Sequence, residues 1–140
     1  MGPYKFKVEV IGFEPMSGSI GKGKRLVKKK ELVDKIASKA GEEIQIARAA
    51  LLQKRVHVRA EFYLWKGGEG YTNTTSKKDL DNLLKLVFDV LQPYVDSQHT
   101  TTGLRVIETD EDVFYAEAIK KIVDEREKAG LRLEVSLYRD

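Results

Sequence analysis

Apolar and charged side chains alternate strictly over residues 4–10. Tyr4, Phe6, Val8 and Val10 fall on one side, Lys5, Lys7 and Glu9 on the other. A two-residue period puts one set on each face of a pleated strand, so the chain is predicted to begin with a half-buried strand. The alternation returns over 55–65, with Val56, Val58, Ala60, Phe62 and Leu64 inward and His57, Arg59, Glu61, Tyr63 and Trp65 opposite. The second set is not purely polar, which leaves room for cover by a helix or a partner subunit. His57 reads as a surface strand residue. Glu61 would add an oxygen ligand only if its face looks toward the helix over 77–91. Residues 131–138 alternate again and predict the last strand.

Between these runs the period changes. Over 31–53, Leu32, Ile36 and Ala40 recur at four-residue steps, and Ile44, Ala47 and Leu51 continue the face. This predicts a core-packing helix with Gly41 placed to break or kink it. The Gly- and Ser-containing stretches 12–23 and 66–78 predict loops. The strongest helix signal is 77–91, stopped by Pro93. At about 100° per residue, Leu80, Leu83, Leu84, Val87, Phe88, Val90 and Leu91 share one broad face, and Asp81, Asn82, Lys85 and Asp89 fill the remaining arc. A helix apolar nearly all round is normally buried. A buried stripe of two acids, an amide and a lysine is costly unless its members pair or bind something. A capping box at Ser76 and Asp79, or an Asp81–Lys85 ion pair, accounts for part of the stripe. Neither accounts for Asn82 and Asp89.

The run Lys78-Asp79-Leu80-Asp81-Asn82-Leu83-Leu84-Lys85, followed by Phe88-Asp89-Val90-Leu91, closely resembles the signature of RusA-type Holliday junction resolvases. That signature is Asp-x-Asp-Asn-x-x-Lys on a helix, then a third acid at the head of a following strand. The resemblance implies one α/β (α+β) domain over 1–140, with a small mixed sheet packed by two main helices, working as a C2 homodimer. It implies a Mg²⁺-dependent endonuclease, with Mn²⁺ as a substitute, that cuts four-way DNA junctions by paired symmetric hydrolysis. Asp79 and Asp81 become metal ligands and Lys85 the catalytic lysine, with Asn82 and Asp89 supporting the carboxylates from behind. Asp110 takes the third ligand position. Glu111, Asp112 and Asp96 are further candidates, because segment 92–109 is longer than the family pattern. The resemblance also makes 113–123 a strand, although its composition would pass as an amphipathic helix.

Charge sharpens one part of this picture. The chain carries 25 Lys/Arg and 22 Asp/Glu, a net of +3, but residues 1–60 carry +8 and residues 61–140 carry −5. A basic half suits phosphates and an acidic half suits cations. Lys22, Lys24, Arg25, Lys28, Lys29 and Lys30 crowd the end of the first loop and the approach to the helix over 31–53. With Lys77 and Lys78 beside the motif, they are the candidate DNA-phosphate contacts. A solvated helix start is the bland alternative. The absence of cysteine excludes disulfides, thiolate metal sites and cysteine nucleophiles. No apolar run is long enough to span a membrane, and the N-terminus lacks a signal-peptide pattern, so a cytoplasmic protein is expected. Two other readings compete: a non-catalytic nucleic-acid-binding module using 22–30, and a Mg²⁺-dependent nuclease for another branched or RNA substrate.

Overall fold

The computed structural model describes residues 4–13, 15, 22–66, 80–95 and 98–139, with side chains described at all of these except 22–27 and 82. In chain order the elements are β1 (Lys5–Ile11), α1 (Lys22–Ala40), α2 (Glu43–Leu51), β2 (Val56–Trp65) and α3 (Leu80–Leu91). The short strands β3 (Tyr94–Val95) and β4 (Thr101–Thr102) follow, then a 3-10 turn at Asp110–Asp112, β5 (Val113–Val123), a second 3-10 turn at Arg126–Lys128 and β6 (Gly130–Leu137). The result is a small mixed α+β fold.

Four strands form one sheet in the order β1-β6-β2-β5. β6 pairs antiparallel with both β1 and β2, while β5 pairs parallel with β2. The alternation seen in sequence sets the register. Phe6, Val8 and Val10, the five inward residues of β2, and Leu131, Leu133 and Val135 of β6 are all buried. They share one core with Leu32 and Ile36 of α1, Ile44, Ala47 and Leu51 of α2, and Leu83, Leu86, Val87, Val90 and Leu91 of α3. All three helices therefore feed one face of the sheet. Among the described residues, no helix covers the other face.

Two sequence expectations are corrected. The first helix begins at Lys22, so the basic run lies in a helix and not at the end of a loop. Periodicity missed this start because Lys22–Lys30 carries too few apolar residues to show a face. Its second half is held by charge contacts instead: Lys28 with Glu31 at 3.5 Å, Lys30 with Asp34 at 3.7 Å and Lys29 with Asp89 at 3.2 Å. At the far end, Gly41 stops α1 with φ +54°, the left-handed conformation that glycine adopts at helix C-termini without penalty. The break at Gly41 that the sequence allowed therefore divides 31–53 into two helices, and three helices pack the sheet where two main ones were expected. The second correction concerns α3, where Leu86 joins the core and Leu80 is 37% exposed.

The long connection after α3 packs as part of the core. The backbone N–H of Leu104 donates to the Val90 carbonyl at 2.8 Å, and that of Val106 to the Leu91 carbonyl at 2.9 Å. These bonds satisfy helix-end carbonyls that lack intrahelical donors. Leu104, Val106 and Ile107 are buried, and Arg48 Nε of α2 donates to the Leu104 carbonyl at 2.9 Å. β5 then forms as a strand, against the helical leaning of its composition. Pairing with β2 over ten positions outweighs intrinsic propensity, which is a weak preference.

Candidate metal and nucleic-acid site

α3 presents Asp81 and Lys85 on its open side. Asp81 and Lys85 are one helical turn apart and both exposed. Asp81 lies in the first turn, where the helix dipole favours an acid. Asp79, Lys77, Lys78 and Asp96 lie outside the described residues, as do the side chains of Asn82, Lys22, Lys24 and Arg25.

Asp89 meets Lys29 of α1 at 3.2 Å, with the two side chains only 18% and 14% exposed. Lys29 Nζ also lies 5.2 Å from the centre of the Tyr94 ring, a cation–π distance. One end of the polar stripe is therefore a helix–helix tie. Lys28 Nζ sits 5.5 Å from the centre of the Phe13 ring, and Lys30 is exposed.

Asp110 opens the 3-10 turn immediately before β5 and is exposed. Its backbone N–H donates to Gln92 Oε1 at 3.2 Å, which anchors it at the C-terminal end of α3. Asp81 stands at the opposite end. The eleven residues from Asp81 to Gln92 correspond to about 16 Å of helix axis. Glu111 and Asp112 share the turn, whose start is capped by Thr109 Oγ1 accepting from the Glu111 N–H at 3.4 Å. Among the described residues, no group of three His, Cys, Asp or Glu side chains is close enough to hold a metal ion.

The chain matches no model of a known protein family and no curated protein sequence.

Two features were obscured in the sequence. Lys120 pairs across with Phe62 and so lies on the helix-covered face of β5, half-buried. Its signal was the alternation within 113–123, masked by helix-like composition. Glu61 faces away from α3, on the uncovered side of the sheet, and is 7% exposed. There Tyr63 donates its hydroxyl to Glu61 Oε2 at 2.8 Å. Arg59 lies 3.2 Å, Lys121 3.5 Å and Arg132 3.6 Å from its carboxylate oxygens. The Tyr63 hydrogen bond, followed by the charges of Lys121 and Arg59, holds the Glu61 carboxyl below the usual carboxylate range against the opposing effect of burial. Burial, then the bond to Glu61, pushes the Tyr63 hydroxyl up. Glu61 is thus the hub of an ionic network spanning β2, β5 and β6, and no part of the motif site. Among the described residues, no helix is long and apolar enough to cross a membrane.

Proposed function

We propose that the chain is a RusA-type, Mg²⁺-dependent endonuclease that resolves four-way DNA junctions, acting in the cytoplasm. One observation carries the reading. Composition favours a helix over Val113–Val123, whereas the resemblance calls for a strand headed by an acid, and the segment is a strand with Asp110 three residues ahead of it.

Phosphodiester hydrolysis needs charge neutralised on the phosphate and a water made nucleophilic, and Mg²⁺, when bound, supplies both. It takes oxygen ligands in octahedral geometry, and we assign Asp79 and Asp81 as its donors, with Mn²⁺ able to replace it. Lys85, one turn from Asp81, presents its ammonium to the scissile phosphate and stabilises the negative charge that develops there. Asn82 orients a carboxylate from behind. Asp110 is the third donor by resemblance, yet it is anchored at the far end of α3, so its share of the site is tested on its own.

Lys30, the basic first turns of α1, and Lys77 and Lys78 serve as phosphate contacts in this reading. Lys29 leaves that set because Asp89 holds it. Two symmetric cuts need two active sites, which a C2 homodimer supplies. We assign its interface to the uncovered sheet face around Tyr63 and Trp65.

The test is nicking of a labelled four-way junction in Mg²⁺ and in EDTA. Paired nicks that require the metal are expected. Tight binding without cutting in either Mg²⁺ or Mn²⁺ would favour the non-catalytic module. Preference for a flap or an RNA substrate would favour another phosphodiesterase using the same residues.

A further inference from the structure

β1 starts, β2 and β5 start, and β6 ends at one end of the sheet, and the uncovered face there differs from the rest. A β-bulge interrupts the β2–β5 ladder between Val56 and His57, so Val56 pairs with Val113 while His57 pairs with Tyr115. Phe114 is the extra residue on β5, and a bulge of this kind re-aims side chains. Phe114 and Tyr115 are 51% and 50% exposed. Phe114 packs on Tyr138 with ring centres 5.6 Å apart, and Tyr115 meets His57 edge-to-face at 4.7 Å. Tyr138 lines the same depression as His57 and Tyr115, so the two ring pairs adjoin.

Cations frame it. The Arg55 guanidinium lies 4.9 Å from the centre of the Phe114 ring. Lys5 and Arg139 line an open depression of about 320 Å³ with His57, Tyr115, Ser136 and Tyr138. Glu117, on the same face, is paired with Arg59 at 3.4 Å and lies 3.6 Å from His57 Nε2, and the Asp110–Asp112 turn that leads into β5 brings three acids to the same end of the sheet. Arg55, Lys5 and Arg139 lie toward the sheet end, so the positive rim is on the side away from Glu117.

We propose that Phe114, Tyr115, His57 and Tyr138, with Lys5, Arg55 and Arg139, form a platform for unpaired nucleotides of a single-stranded nucleic-acid segment. Two large aromatic rings left half-exposed by a bulge offer faces on which bases stack, and such stacking tolerates any sequence. Lys5, Arg55 and Arg139 supply cations for the phosphates of such a strand. Trp65 and Tyr63 stand about 20–26 Å further along β2, so this platform and the proposed dimer surface occupy different ends of the face. The choice of nucleic acid as the ligand class rests on the nuclease reading.

The test measures fluorescence anisotropy of labelled oligo(dT), and of a duplex without unpaired bases, in EDTA. Each is titrated with wild type, Tyr115→Ala, Phe114→Ala and Tyr115→Phe. Oligo(dT) affinity should fall about tenfold in each alanine variant, stay near wild type in Tyr115→Phe, and duplex affinity should change in none. Both alanine substitutions sit at exposed positions, and circular dichroism checks their folding. Equal oligo(dT) binding by wild type and both alanine variants would overturn the platform. So would conversion of a dimer to a monomer by Tyr115→Ala with oligo(dT) binding intact, which would make the surface a contact between copies. Metal-dependent junction cleavage is read separately. Loss of oligo(dT) binding in the variants of a protein that never cuts would keep the platform and remove the nuclease. Cutting by a protein whose variants bind normally would do the reverse.

Discussion

Lys29 of α1 and Asp89 of α3 form an ion pair at 3.2 Å in which both side chains are largely withdrawn from solvent. A residue of the basic run over 22–30 is thereby turned into a fastening between two helices. Truncating either partner leaves the other charge poorly solvated. Lys29→Ala should cost about 1–3 kcal/mol, between the values typical of surface and of buried pairs. Lys30→Ala, whose pair with Asp34 is exposed on both sides, should change stability by under about 0.5 kcal/mol. Urea unfolding of the two variants checks this, and equal effects would contradict it.

Glu61 predicts an acid sensitivity. Its carboxyl is held low mainly by the Tyr63 hydroxyl, with Lys121 and Arg59 adding to it. An unfolded glutamate titrates near pH 4.3. The stabilisation is therefore complete above about pH 4.3 and is lost as pH falls through the lower folded value. Wild type should lose stability on acidification below about pH 4 more steeply than Glu61→Gln. Tyr63→Phe should cost about 1 kcal/mol at neutral pH. Thermal melts across an acid series measure both.

Gly103 has φ +102°, and an added Cβ would run into the Gln92 carbonyl. The turn it makes lets Leu104 reach back to cap α3, so Gly103→Ala should destabilise by about 2 kcal/mol or more. A stability within error of wild type would mean that segment 98–107 does not hold the end of α3.

Asp110 and Asp81 stand at opposite ends of α3. Asp110→Asn should therefore lower junction cleavage while leaving measurable activity, whereas Asp81→Asn should leave none. Single-turnover cleavage rates separate the two. A loss as complete in Asp110→Asn would mean that the turn at Asp110–Asp112 reaches the start of α3 when DNA is bound.

The strands at Lys5–Ile11, Val56–Trp65 and Gly130–Leu137 were legible because each has one face on the core and keeps a clean two-residue period. β5 was not, because it is the sheet edge. With no residue of it fully buried, its pattern relaxes, and Glu117, Lys120 and Lys121 give it the charges that keep an edge strand from pairing with strangers. The start of α1 was hidden for a related reason. Its contacts are ionic and distant in sequence, as between Lys29 and Asp89, and no local period records them. Of the candidate site, the motif helix was readable from one stretch, but its polar stripe reads there as buried, whereas Asp81 and Lys85 are exposed and Asp89, paired with Lys29, is the member withdrawn from solvent. The anchoring of Asp110 by Gln92 depends on how segment 98–109 folds back on α3, which no spacing encodes.

The most direct measurement sets a labelled four-way junction beside linear duplex of matching sequence, both in Mg²⁺, with wild type and Asp81→Asn. Wild type is predicted to nick the junction symmetrically and leave the duplex whole, while Asp81→Asn binds the junction at least as tightly and does not cut. Wild-type binding without nicks, or an Asp81→Asn protein that cuts as well as wild type, would contradict the assignment of the α3 carboxylates to catalysis.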